Sequence, residues 1–128
     1  MQDKSVIQNK KIDSNTLGDL IIDSIQDIKG KNIMKLDLRH IDDAPTDYFI
    51  ICEGDSGTQV NAIANNITKR LKEEYGIRHS RLEGMDNSKW VLVDYFDIVV
   101  HVFYPETRKF YELEELWLDA KTTEYQNL

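Results

Sequence analysis

Residues 90–120 read WVLVDYFDIVVHVFYPETRKFYELEELWLDA, and their patterning decides the fold. Apolar and β-branched residues fill Trp90–Val93 and Ile98–Phe103, while Asp94 and Asp97 bracket Tyr95-Phe96, as two strands meeting at a tight turn would. A two-residue loop at Tyr95-Phe96 pairs Asp94 with Asp97, Val93 with Ile98, Leu92 with Val99, Val91 with Val100 and Trp90 with His101. The strand period of two then sorts the side chains by face. Val91, Val93, Ile98 and Val100 make one aliphatic face. Trp90, Leu92, Asp94, Asp97, Val99 and His101 share the other, with two acids at one end and an imidazole at the other. A two-residue turn normally places Gly, Asn or Asp where φ is positive; Tyr-Phe supplies none, so the loop is expected to be wider or strained.

Working outward, Pro105 breaks the second strand and opens a turn of helix to about Lys109, and Glu112–Leu118 reads as a short terminal helix. Trp117 and Leu116 are expected to pack against the sheet, Arg108 and Glu112 to be solvated, and the last ten residues to fray. Upstream, Tyr48–Cys52 (YFIIC) is a continuous apolar run short enough to be a strand buried on both faces, which places it centrally. Glu53–Gly57 (EGDSG) links it to a long helix, Gly57 to Gly76, with the stripe Val60, Ile63, Ala64, Ile67 and Leu71. A first helix starts near Thr16, carries Leu17, Leu20, Ile21, Ile25 and Ile28, and ends at Gly30. Asn32–Leu38 alternates as an edge-like strand with one wet face, and Ser80–Leu82 reads as a short third strand. Residues 1–15 form a polar leader, 16–120 the domain and 121–128 a tail. The expected fold is α/β: one domain with a mixed β-sheet flanked by helices.

Hydrophobic residues at 41% and charged residues at 30% of 128 residues fit one globular domain. No apolar run approaches the length of about 20 residues needed to cross a bilayer, so no membrane partner is expected. The N-terminus lacks an apolar signal core and carries acids, which predicts a cytoplasmic address. Cys52 is the single cysteine, which excludes an intrachain disulfide and a cysteine-based metal site. A net charge of −7 argues against an RNA backbone as the main contact and suits a basic partner.

The run from Trp90 to Ala120, together with TDYFIICEGDSGTQVNAIANNI (Thr46–Ile67) and Glu83-Gly84, resembles the Iojap family, the ribosomal silencing factors of bacteria and organelles. The resemblance covers roughly Leu17 to Ala120. It implies a nucleotidyltransferase-like architecture and a non-enzymatic adaptor without cofactor or metal. It further implies binding to the large ribosomal subunit through ribosomal protein fourteen on the intersubunit face, exclusion of the small subunit and repression of translation under nutrient limitation. The family usually has Arg before Gln-Val where this chain has Thr58, which removes a charge beside Gln59.

Each candidate site has a plainer counterpart. EGDSG before a helix resembles an anion cradle, but it lacks the lysine and glycine spacing of a phosphate loop, and Glu53 and Asp55 stand where an anion would approach; a capped turn explains it better. Asp94, Asp97 and His101 offer metal-ligand chemistry, yet His101 lies four residues along its strand, about 13 Å from Asp97, too far for one ion. A metal-dependent nucleotidyltransferase using Asp94 and Asp97 is therefore the alternative rather than the main reading. The expected partner-binding residues are Trp90, Leu92, Asp94, Tyr95, Asp97, Val99 and His101, an apolar centre anchored by tryptophan with a charged rim. Helices packed over that face would be the bland alternative for Leu92 and Val99. A homodimer through an exposed sheet edge or the hairpin is a further reading.

Overall fold

Ser14–Asp27 forms helix α1 because Asp13 caps it, its carboxylate accepting from the Thr16 amide at 2.8 Å, and because Leu17, Ile21, Ile22 and Ile25 recur on one buried side. The computed structural model describes residues 12–128, so the expected leader lies mostly outside the described residues. Helix α1 starts two residues before Thr16. It stops at Asp27, where Lys29 rather than Gly30 takes the left-handed conformation, φ 61°. The chain continues through β1 (Lys31–Asp37), β2 (Tyr48–Glu53), α2 (Gly57–Tyr75), β3 (Arg81–Glu83), β4 (Trp90–Asp94), β5 (Ile98–Phe103), α3 (Pro105–Tyr111), α4 (Leu113–Leu116) and β6 (Lys121–Tyr125).

Six strands form one mixed sheet in the order β3-β4-β5-β2-β1-β6. Its one parallel pair is β2 with β5; the other neighbours run antiparallel. Strand β2 sits centrally, as its unbroken apolar run requires. Helices α1 and α2 cover one face, burying Ile21, Ile25, Ile63, Ile67 and Leu71 against Ile50, Val91, Val93, Ile98, Val100 and Val102. On the other face Leu36, Leu38, Phe49, Ile51, Val99 and Phe103 cluster with Leu113, and Trp90, Leu92 and Trp117 pack at the margin.

Several expectations are corrected. Strand β1 is not an edge: β6 pairs beside it from Ile33↔Tyr125 to Asp37↔Lys121, so the last ten residues do not simply fray. KTTEY is polar because most of β6 is exposed, and its place comes from backbone bonding to β1 rather than from buried side chains. The terminal helix is one short turn, Leu113–Leu116, and Leu116 is 70% exposed instead of packed. Trp117 meets the Phe49 ring edge-on at 6.0 Å and is only partly buried. Arg108 is buried, not solvated, donating to Glu53 at 3.0 Å, to Glu114 at 2.9 Å and to the Asn32 carbonyl at 2.6 Å. That fork ties α3 and α4 to the start of β1 and the end of β2.

The hairpin register also differs. The pairs are Trp90↔Phe103, Val91↔Val102, Leu92↔His101, Val93↔Val100 and Asp94↔Val99, a shift of two residues from the expected ladder. The loop is Phe96-Asp97, closed by the Tyr95 amide donating to the Ile98 carbonyl at 2.8 Å. An even shift keeps every side chain on its face, so the two-sided division holds although the partners change. The expected strain is present: Phe96 has φ 71°. Its amide donates to Asp94 at 2.8 Å and its carbonyl accepts from the Thr46 hydroxyl at 2.6 Å, which together hold the unusual conformation.

Candidate functional site

Trp90 begins β4 on the sheet face that α1 and α2 leave free, opposite Phe103. Its indole Nε1 donates to His101 Nδ1 at 3.0 Å, and its ring lies 4.9 Å from Phe103 and 4.8 Å from Tyr111 of α3. The indole N–H can only donate, so His101 Nδ1 accepts and the histidine proton sits on Nε2. Nε2 is buried with no hydrogen-bond partner among the described residues. Trp90 is thus fixed in rotation and partly buried, at the wall of an open cleft of about 740 Å³ also lined by Lys89, Tyr104, Glu106, Phe110 and Tyr111.

The backbone that aims Trp90 depends on Gly84. This glycine has φ 93°, and a Cβ there would lie 2.0 Å from the Trp90 carbonyl oxygen. No other residue fits so close an approach at that conformation.

The remaining expected contact residues divide. Leu92 follows Trp90 on the same face and is partly buried, Asp94 is partly buried at the other end of β4, and Asp97 is exposed at the turn. Val99 (8% exposed), His101 (5%) and Tyr95 (6%) are buried, so their side chains are not offered to a partner. Tyr95 faces the α1–α2 side, its hydroxyl buried without a partner among the described residues, and burial pushes its phenol above the usual range. Asp94 has internal work: one oxygen holds the Phe96 amide and the other lies 3.5 Å from Arg81 Nε. Asp94 and Asp97 are not cross-strand partners, since Asp94 faces Val99. Among the described residues no group of three His, Cys, Asp or Glu side chains converges as a metal site.

Phe110 and Tyr111, outside the expected contact set, are 79% and 48% exposed and line the Trp90 cleft. Two adjacent aromatics on a helix of two turns cannot both face the sheet, which was the available signal. The EGDSG segment caps α2, with Ser56 Oγ accepting from the Gln59 amide at 3.1 Å. Gln59 is structural, donating to the Ile28 carbonyl at 3.0 Å and accepting from the Asp55 amide at 2.5 Å. Cys52 is fully buried and its thiol is pushed up to about 12, which keeps it unreactive.

Burial lowers the His101 pKa from 6.5 to about 4, against a weaker opposing pull from Asp94. The unfolded chain therefore binds a proton that the folded chain refuses. This contribution to stability is complete above about pH 6.5 and is lost as the pH falls toward about 4. His101→Phe is expected to flatten that slope by on the order of 1–3 kcal/mol, read from urea midpoints near pH 7.5 and near pH 4.5. An unchanged slope would show that other groups carry the acid sensitivity.

Architecture and site together define a single-domain α/β protein in which a partly buried tryptophan, Trp90, walls an open cleft. Residues 11–128 match the family model described as "Ribosomal silencing factor during starvation". The chain is 40% identical over 109 residues to the ribosomal silencing factor of Halalkalibacterium halodurans, covering 85% of this chain and 92% of that protein. A crystal structure of a Chromobacterium violaceum protein superposes with a TM-score of 0.78 at 39% identity, over 83% of this chain and 87% of that one. The mouse protein named for mitochondrial assembly of the ribosomal large subunit is 38% identical over 74 residues, 56% of this chain and 32% of that protein. The chain belongs to the ribosomal silencing factor family.

Among the described residues, no helix is long and apolar enough to cross a membrane.

Proposed function

We propose that this protein acts in the cytoplasm by binding the large ribosomal subunit through its basic protein fourteen on the intersubunit face. There it keeps the small subunit from joining and represses translation when nutrients are limiting. The observation that carries the reading is Trp90, held partly accessible by His101, Phe103 and Tyr111 in a cleft with the exposed aromatics Phe110 and Tyr111. A rigid, partly solvated tryptophan is the residue type that anchors protein interfaces, because its large area is buried at little rotational cost. Exposed Asp97 and partly buried Asp94 give the hairpin turn, at the other end of β4 from the cleft, a sign that suits a basic protein. The mechanism is occlusion, requiring affinity and position but no chemistry.

Sucrose-gradient sedimentation with separated subunits tests this. The chain should travel with large subunits and lower the yield of joined ribosomes when small subunits are added. Sedimentation with neither subunit, or with the small one, would overturn the reading.

Within this reading the two acids have different tasks. Asp97→Lys should slow association with large subunits about tenfold at low salt and leave thermal stability unchanged, because a rim charge steers encounter. Asp94→Lys should lower both association and stability, since it also releases the Phe96 turn. Stopped-flow association and thermal melts of the two variants separate the roles; equal melting losses would refute the division.

A further inference from the structure

The C-terminal end of α2 gathers cations that the fold itself leaves unused. Lys69, Lys72, Arg78 and His79 line, with Thr68 and Glu73, a groove of about 420 Å³. Arg39, Arg70, Arg81 and Arg108 are each ion-paired within the molecule, whereas Arg78 has no acidic partner among the described residues. Lys69 and Lys72 are exposed, likewise unpaired among the described residues, and three apart, so they share one side of the helix. Arg70, between them in sequence, turns the other way to hold Asp23 at 2.7 Å and Asp27 at 2.8 Å on α1.

The groove adjoins the hairpin. His79 meets the Tyr95 ring edge-on at 6.5 Å, and Phe96-Asp97 follow directly. A surface docked against the exposed turn therefore brings its neighbouring groups to Lys69, Lys72 and Arg78.

The geometry points to a phosphate-binding groove for the RNA backbone of the large subunit, engaged alongside the docked hairpin; the inference rests on the ribosome-binding reading above. Three cations against Glu73 make the groove locally positive in a chain of net charge −7. Charges farther away than about 8 Å are screened at physiological ionic strength, so the local balance governs a phosphate held there. The lining contains no tryptophan, tyrosine or phenylalanine on which a base would stack. It therefore holds backbone without reading sequence, adding affinity and orientation to contacts made by the hairpin.

The test compares the full chain with its K69Q/K72Q/R78Q variant, using purified large ribosomal subunits and, separately, RNA extracted from them. The variant should bind subunits about tenfold more weakly at low salt, with a log–log salt slope shallower by about two units, and should lose retention of the extracted RNA. Equal affinity and slope in both chains would overturn the groove. A weaker variant whose deficit survives nuclease removal of the accessible RNA would also overturn it, in favour of an acidic protein segment. If neither chain binds subunits, the ribosome-binding reading fails and the extracted RNA decides alone: charge-dependent retention keeps the groove, and none removes it. Should the triple variant melt early through loss of Lys72 from the last helical turn, K69Q/R78Q carries the same comparison.

Discussion

Trp90→Ala is expected to weaken binding to the large ribosomal subunit about 100-fold while the chain stays folded at the assay temperature. The truncation removes the indole from the cleft and leaves the His101 Nδ1 acceptor without its donor. It also separates Phe103 from Tyr111, which the indole bridges at 4.9 and 4.8 Å. Some stability is lost, about 1–3 kcal/mol for a half-buried aromatic, so the melting curve must accompany the binding curve. Trp90→Phe separates area from anchoring. It keeps a ring between Phe103 and Tyr111 but cannot donate to His101, and should recover stability more fully than affinity. Isothermal titration against purified large subunits reads the difference; an alanine variant that binds within threefold of the parent would remove Trp90 from the proposed contact.

Much of this arrangement was legible from residue order because it rests on periodicity. The buried run Tyr48–Cys52 and the stripe from Val60 to Leu71 specify their elements locally, and β2 and α2 fall where those patterns place them. The hairpin's two faces were legible for the same reason. Its register was not, because the positive φ at Phe96 is stabilised partly by Thr46, a residue 50 positions away whose hydroxyl has no local signature. Strand β6 was illegible because four of its five residues are exposed, and a polar edge strand has no buried alternation to announce it. Accessibility within the candidate contact set was only half legible. Face assignment placed Trp90, Leu92 and Asp94 where they are partly accessible, but burial of Val99 and His101 depends on ring packing with Phe49 and Phe103 and on α3–α4 folding over the sheet.

Arg108→Leu should lower stability by about 3–5 kcal/mol, equivalent to a fall in Tm of roughly 10–15 °C. An arginine in a sequence rich in Lys and Glu reads as surface, yet here its guanidinium serves three acceptors at once: Glu53, Glu114 and the Asn32 carbonyl. Leucine retains the aliphatic contact but leaves the carboxylates of Glu53 and Glu114, 16% and 26% exposed, facing a missing cation. The cost is the desolvation of those acceptors more than the lost attraction. Arg108→Lys should recover only part of the loss, because an ammonium on a flexible stem cannot span the planar fork. The damage should also be local. Amides from residues 105–125 should exchange faster than those of α2 and β2, since Arg108 ties that segment to the sheet. Tyr111 lies in that segment and backs Trp90 at 4.8 Å, so the variant should also lose affinity for the large subunit at temperatures where the rest of the chain remains folded. Uniform exchange across the molecule, or full affinity up to global melting, would show that the buried ion pair stabilises the fold without supporting the contact face.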